Sequence, residues 1–183
     1  MEIKDILKPE EYQNLNQINQ ADRAWLNDRI QMRRNGEPGI ECVVRGMNSE
    51  GDYFKLTPEE IIRQHYAHKL ISEYGYHEAQ ISFEEPVLFA GRQTINDKRI
   101  DICVFDEEHK NIIMIIEVKR PEINDYRKTW EGESTTPYQQ MQSYANQMHP
   151  SVGVLVNGVT SPEFYDYPDY ENQLGLERFP LAN

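Results

Sequence analysis

Two acidic residues and a lysine interrupt an otherwise apolar stretch between Arg99 and Arg120. Asp101 lies in the first of two apolar segments, and Glu117 and Lys119 stand two residues apart at the end of the second. Because strand side chains alternate between faces, Glu117 and Lys119 are expected to project from the same side. A charge buried in a sheet is costly unless it is paired. The pattern therefore predicts either a functional cluster or a buried ion pair.

A divalent cation would satisfy this pattern of charges. Held between Asp101 and Glu117, it would neutralise both carboxylates, and the main-chain carbonyl at Val118 offers another hard oxygen ligand. Lys119 could then orient or deprotonate an attacking water, or stabilise charge on a scissile phosphate. The alternative is a structural ion pair between Lys119 and one of the two carboxylates.

Several strands are needed to position these charges. Arg99–Phe105 and Ile112–Val118 form the central pair, and the polar residues 106–111 form the turn between them. The second strand of this pair, Ile112–Val118, is almost entirely apolar and β-branched, which is typical of a strand covered on both faces. Further strands are predicted at Gln80–Ala90 and Ser151–Asn157. Together with the helices they predict a three-layer α/β/α domain around a central mixed sheet, with the tail from Thr160 lying over that sheet.

A helix is predicted at Pro58–Tyr74, with Thr57 as its cap and Glu60 completing a capping box. On a helical projection Glu59 and Arg63 fall inside the apolar stripe, whereas Glu60 falls at its margin. We therefore expect Glu59 and Arg63 to point at the site. The alternative is a capping acid together with an ion pair on the helix surface.

The helices carry other polar candidates. His65 and His68 lie one turn apart but off the apolar stripe, so we expect surface histidines and not metal ligands. A second helix is predicted at Pro137–Met148, on which Gln140 and Tyr144 share a face.

The polar segment 122–137 follows the lysine directly. Long loops beside a site are often functional. Arg127, Lys128 and Trp130 would offer cations and a stacking surface to a nucleic-acid strand. The alternative for all three is a solvated loop residue.

The length of 183 residues allows one domain with a sizeable core. We place an N-terminal helical extension and the start of a small hairpin at 1–50, and the main domain at 51–183. Residues 1–35 are predicted to be helical but poorly packed. The hairpin would pair Ile40–Arg45 with Tyr53–Leu56.

Composition limits the classes of partner and compartment. The net charge of -12 argues against a protein that coats nucleic acid by bulk attraction, although it does not exclude a nuclease whose site is a carboxylate cluster. The sequence has no apolar run long enough to span a membrane and only two cysteines, Cys42 and Cys103. A cytoplasmic location is therefore expected.

Taken together, these features resemble the PD-(D/E)xK nuclease superfamily, and in particular the N-terminal nuclease domain of type I restriction enzyme R (motor) subunits and their stand-alone relatives. The segments that carry the resemblance occur in the family's order: TPEEIIRQ at 57–64, KRIDICVF at 98–105, IIMIIEVKRP at 112–121, QMQSY at 140–144 and VLVNG at 154–158.

The resemblance implies a restriction-endonuclease-like fold and a magnesium-dependent DNA endonuclease, in which manganese can substitute for magnesium. It implies that Asp101 and Glu117 are metal ligands, that Lys119 is the catalytic lysine and that Glu59 completes the site. Gln140 and Tyr144 would match the Q-x-x-x-Y motif, which lies near the nucleotide and the lysine.

Two differences from the complete R subunit bear on function. The sequence contains no G-x-x-x-x-G-K-[ST] loop, so ATP-driven translocation would need a motor or another restriction subunit in trans. The segment between Lys119 and Gln140 is also long. A non-cleaving module that docks on a helicase or another defence protein is the alternative function, supported by the acidic charge. Cleavage of RNA also stays open.

Overall fold

The computed structural model describes residues 1–15, 18–44, 53–89, 93–132, 134–168, 170–171, 173–174 and 178–182. Its centre is a six-stranded mixed sheet with the strand order β4-β5-β6-β7-β8-β9. Strands β6 and β7 run parallel, and every other neighbouring pair is antiparallel. The strands of this sheet are β4 (Ile81–Phe89), β5 (Gln93–Phe105), β6 (Ile112–Val118), β7 (Val152–Val156), β8 (Glu163–Asp166) and β9 (Gln173–Leu174).

Helices cover both faces of this sheet. Helix α4 (Pro58–Ser72) packs on one face, where Ile116 and Val118 of β6 join its core cluster. Helix α5 (Pro137–Met148) packs on the other, with Ile115 of β6. Successive residues of β6 thus point to opposite helices, as the strand period requires. The predicted α/β/α architecture is confirmed.

Side-chain caps begin both long helices. The Thr57 hydroxyl accepts a hydrogen bond from the Glu60 amide at 3.1 Å, and the Thr136 hydroxyl accepts one from the Gln139 amide at 3.1 Å. Each cap satisfies a backbone donor that has no partner inside the helix. The predicted capping box at Glu60 is wrong, because the Glu60 side chain bonds within the helix to Gln64 instead.

The N-terminal segment contributes to the core, so the prediction that residues 1–35 are poorly packed is wrong. Ile3, Leu15 and Leu26 are almost fully buried, in the same cluster as Ile61 and Ile62 of α4. The helices of this segment are α1 (Ile3–Ile6), α2 (Pro9–Gln13) and α3 (Gln20–Asn27). Burial of these apolar side chains stabilises the fold in proportion to the apolar area removed from water.

A small second sheet follows these helices, with the strand order β1-β2-β3. Its strands are β1 (Ile30–Met32), β2 (Pro38–Glu41) and β3 (Tyr53–Lys55), and both pairings are antiparallel. The predicted pairing of the segments near residues 40 and 54 is therefore confirmed, whereas β1 lies in a stretch predicted to be helical. The predicted hairpin loop at 46–52 and the strand ends at Arg45 and Ala90 lie outside the described residues.

Three other predictions differ from the structure. The chain after Thr160 extends the sheet at its edge as β8 and β9 and does not lie over it. Strand β5 begins at Gln93, inside a stretch predicted to be a polar connection. His65 is buried and not on the surface, with Nδ1 3.5 Å from an Asp22 carboxylate oxygen.

Among the described residues, no helix is both long and apolar enough to cross a bilayer.

Candidate active site

The pairing of β5 with β6 brings the two predicted carboxylates together. Ile102 pairs with Ile116 in the antiparallel ladder, so Asp101 and Glu117 occupy the next opposed positions. The Val118 amide donates a hydrogen bond to Oδ2 of Asp101 at 2.8 Å. A side-chain carboxylate thus engages β6 at the point where the ladder between the strands ends.

Lys119 lies beside this pair. Its Nζ is 2.8 Å from Oε1 of Glu117 and donates to Oε1 of Gln140, also at 2.8 Å. The Gln140 amide group in turn donates to the Tyr144 hydroxyl at 2.7 Å. Lys119 is largely buried, so this chain from β6 to α5 fixes the position of its ammonium group.

Glu117 has one carboxylate oxygen without a partner. Oε2 is buried and accepts no hydrogen bond from any described residue. Burial, followed by the nearby charge of Asp101, raises the pKa of Glu117 to about 8. For Lys119, burial alone would lower the pKa, but the Glu117 and Asp101 carboxylates raise it above its ordinary value. Lys119 is therefore charged at neutral pH.

Helix α4 supplies a second cation to the site. Nη2 of Arg63 bonds to Oδ1 of Asp101, and Nη1 lies 3.0 Å from Glu60 and 2.6 Å from Glu84. Arg63 is thus at the site, as predicted from its place on the helix. Its partner on α4 is Glu60 and not Glu59, so the alternative of an ion pair on the helix surface is wrong: Glu60 is buried.

Glu59 is partly buried and lies within electrostatic reach of the cluster. Burial and then the charge of Asp101 raise its pKa, whereas Lys119 lowers it. Glu59 lies in the first turn of the same helix that positions Arg63.

The donor set fits a hard divalent cation. Glu117 Oε2 is a buried carboxylate oxygen without a hydrogen-bond donor, and its ionised form is costly unless a cation meets it. Within the described residues, no three histidine, cysteine, aspartate or glutamate side chains converge as a ready-made metal site. Mg²⁺ does not require three, since it commonly binds one or two carboxylates and keeps several waters.

Comparison with known protein families identifies the family of this chain. The model of a family described as the type I restriction enzyme R protein N terminus matches residues 58–174, which include every strand of the central sheet. The chain belongs to this family. No curated protein matches it. The match to the R-protein N-terminal family begins at the helix that carries Glu59 and Arg63, so residues 1–57 lie outside it.

Arg127 and Lys128, the basic residues predicted in the loop of this R-protein N-terminal domain, contact residues other than Asp101 and Glu117. The Arg127 guanidinium lies 3.9 Å from the centre of the Tyr138 ring, and Lys128 pairs with Asp125 at 3.0 Å. Both residues are exposed. The loop itself is anchored, because Ile123 is buried and its carbonyl accepts a hydrogen bond from the Asn157 amide group.

Three residues near the site were not among the sequence candidates. Glu60 and Glu84 both hold Arg63, and Lys98 places Nζ 5.9 Å from the centre of the Tyr144 ring. Lys98 had a visible signal, because it directly precedes the predicted strand Arg99–Phe105 that carries Asp101. Glu84 had none, because its role depends on a left-handed backbone conformation within β4 (φ 54°).

Proposed function

We propose that this protein is a magnesium-dependent DNA endonuclease of a restriction or phage-defence system. The observation that carries the proposal is the convergence of Asp101, Glu117 and Lys119 at one end of the β5–β6 pair, with Oε2 of Glu117 left without a partner. A purely structural arrangement would pair Lys119 with Glu117 and Arg63 with Asp101, and it would leave no carboxylate oxygen without a partner. Oε2 of Glu117 is the oxygen that such an arrangement does not explain.

Asp101 and Glu117 would hold the metal, with the Val118 carbonyl and Glu59 as further oxygen groups, Glu59 acting directly or through water. A bound Mg²⁺ would supply Lewis-acid activation of water and would neutralise charge at the scissile phosphate. Mn²⁺ has the same preference for oxygen ligands and is expected to substitute.

Lys119 would act as a donor to the reacting groups. Its raised pKa keeps the ammonium group protonated, which favours orienting water or stabilising phosphate charge over removing a proton. Gln140 would hold Lys119 in place, and Tyr144 would hold Gln140. This role requires the lysine to stay within reach of both Glu117 and the substrate.

DNA binding by such an acidic chain would depend on local cations. Lys98, Arg99 and Arg120 flank the carboxylates in sequence, and Arg120 is close enough to Glu59 to lower its pKa. Phosphate contacts from these residues would position a strand across the site. Arg127 and Lys128 would contact phosphates farther along the strand. A motor or another restriction subunit would bring the site to its DNA in trans.

A cleavage assay on supercoiled, linear and single-stranded DNA, with and without Mg²⁺, tests the proposal. We expect magnesium-dependent nicking by the wild type and a loss of about 100-fold or more in Asp101→Ala and Lys119→Ala. Lys110→Ala is the matched control, because Lys110 lies in the exposed turn that joins β5 and β6. Full activity of either site variant would refute the catalytic assignment. Binding to a protein partner without any cleavage would support the docking module instead.

A further inference from the structure

A buried chain of hydrogen bonds joins the N-terminal segment to the candidate site. The Val43 amide donates to Oε1 of Gln64 at 2.8 Å, and Nε2 of Gln64 donates to Oε1 of Glu60 at 2.7 Å. The other oxygen of Glu60 lies 3.0 Å from Nη1 of Arg63. Arg63 completes the chain by bonding to Oδ1 of Asp101. We name this path the Val43–Asp101 relay.

The middle of the relay is closed to solvent. The exposed fractions of Gln64, Glu60 and Arg63 are 0%, 6% and 9%. A buried polar group that loses its hydrogen-bond partner is strongly destabilised, so each member of the relay is held in one orientation by the next. Gln64 uses both ends of its amide, one toward Val43 and one toward Glu60.

Arg63 is also held from the opposite side. Glu84 lies 2.6 Å from the same Nη1 atom that Glu60 contacts. In the ladder between β4 and β5, Phe83 pairs with Ile102 and Glu85 pairs with Ile100. Glu84 and Asp101 occupy the intervening positions of the two strands, where the ladder has no residue pair. Its φ of 54° is left-handed, a conformation that is unfavourable for residues other than glycine.

With Nη1 fixed by two carboxylates, Nη2 of Arg63 is fixed on Asp101. The Val118 amide holds the other oxygen of Asp101 at 2.8 Å. The carboxylate plane of Asp101 is therefore set from both ends. Partners behind a metal ligand commonly determine its orientation, and their loss typically weakens metal affinity by about 10–100-fold.

We infer that Gln64, Glu60 and Glu84 are positioning residues that act through Arg63 to orient Asp101 for a divalent cation. The relay makes the segment around Val43, which precedes the family match at residue 58, a determinant of metal affinity. This inference rests on the proposed function, since it requires that Asp101 bind a metal. It assigns residues outside the matched range a role at the site.

The first test compares two substitutions on α4 by calorimetric titration with Mn²⁺. Gln64→Met keeps the length of the side chain and removes both of its hydrogen bonds. Ala67→Gly is the control: Ala67 is fully buried on the same helix, it has no polar side-chain group, and glycine weakens the helix without removing a side-chain hydrogen bond. We expect about tenfold weaker Mn²⁺ binding in Gln64→Met and wild-type affinity in Ala67→Gly.

A second pair tests the same inference if Gln64→Met does not fold. Glu84 has 39% of its side chain exposed, so Glu84→Gln is expected to fold. Glu85→Gln removes the same charge one residue away, where the carboxylate bonds to Ser82 instead of Arg63. We expect weaker Mn²⁺ binding in Glu84→Gln only.

The outcomes separate the two proposals. Wild-type affinity in Gln64→Met, or equal effects of Glu84→Gln and Glu85→Gln, would overturn the relay while leaving the metal site intact. A wild-type protein that binds no Mn²⁺ would overturn both the relay and the proposed nuclease function. Selective weakening in either test pair would support the relay, because Arg63 keeps its charge in every variant.

Discussion

Oδ2 of Asp101 accepts a hydrogen bond from the main-chain amide of Val118 at 2.8 Å. This contact ties a side chain of β5 to the backbone of β6 where their ladder ends, so the two carboxylates at this end cannot separate without breaking it. Antiparallel pairing alone would place Asp101 opposite Glu117, and the hydrogen bond fixes which way the Asp101 carboxylate faces. The remaining oxygen is held by Arg63.

Glu117→Gln should change stability in a pH-dependent way. Folding raises the pKa of Glu117 from an ordinary 4.5 to about 8, so its contribution to stability is fully present below pH 4.5 and is lost as the pH rises through 8. Glutamine does not titrate, so the variant should gain stability relative to wild type between pH 5 and pH 8. Urea unfolding of metal-free protein at several pH values within this range measures the difference. Glu107→Gln, in an exposed turn, should show no such trend.

Metal affinity should rise with pH. A cation can bind Glu117 only after its proton leaves, and the pKa of that group is about 8. Below this pH, Mn²⁺ affinity should increase by about tenfold for each pH unit, and it should level off above it. Calorimetric titrations between pH 6 and pH 8.5 measure the profile. An affinity that is constant over this range would show that Glu117 is not the titrating ligand.

Tyr144→Phe should reduce the rate of DNA cleavage, and it should lower the free energy of unfolding no more than a control substitution does. The Tyr144 hydroxyl accepts from Gln140, which holds Lys119. Tyr138 on the same helix is the matched control, since its buried hydroxyl donates to the Tyr170 carbonyl. Each phenylalanine variant should lose about 1 kcal/mol in the free energy of unfolding. Only Tyr144→Phe should cleave DNA more slowly, by about tenfold; equal rates in the two variants would contradict this chain of contacts.

The central charges could be predicted because strand geometry is simple. Residues two apart in a strand share a face, and this places Glu117 beside Lys119 without any knowledge of the rest of the fold. The apolar, β-branched sequence of β6 likewise predicts that helices cover both of its faces. The hydrogen bond from Val118 to Asp101 could not be predicted, because it depends on where two distant strands stop pairing.

The positions of Glu60 and His65 were not predictable from helical periodicity. A helical projection assumes that one face of a helix meets solvent, but α4 is buried at every residue from Glu60 to Ala67. The central sheet covers one side of α4, and the N-terminal segment contributes Ile3 and Leu26 to the same core. Contacts this far apart in sequence leave no local pattern.

The edge strands β8 and β9 were missed for a related reason. Glu163–Asp166 is short and mixes acids with aromatic residues, and Gln173–Leu174 is only two residues long. Such segments become strands by pairing with a neighbouring strand and not by an intrinsic pattern: β8 pairs with β7, and β9 pairs with β8. Burial of Phe164 and Tyr165, one toward each helical layer, then stabilises the edge.

Leu26→Ala tests whether the N-terminal segment is part of the folded core. Leu26 is fully buried in the cluster that contains α4, so its truncation should lower the free energy of unfolding by about 2–5 kcal/mol through lost burial and the cavity left behind. Met32→Ala is the control, because Met32 is 55% exposed, and it should change stability little. Urea unfolding measures both variants. Similar small losses would mean that the segment is dispensable for stability, and a relay that begins at Val43 would then lack the rigid support it requires.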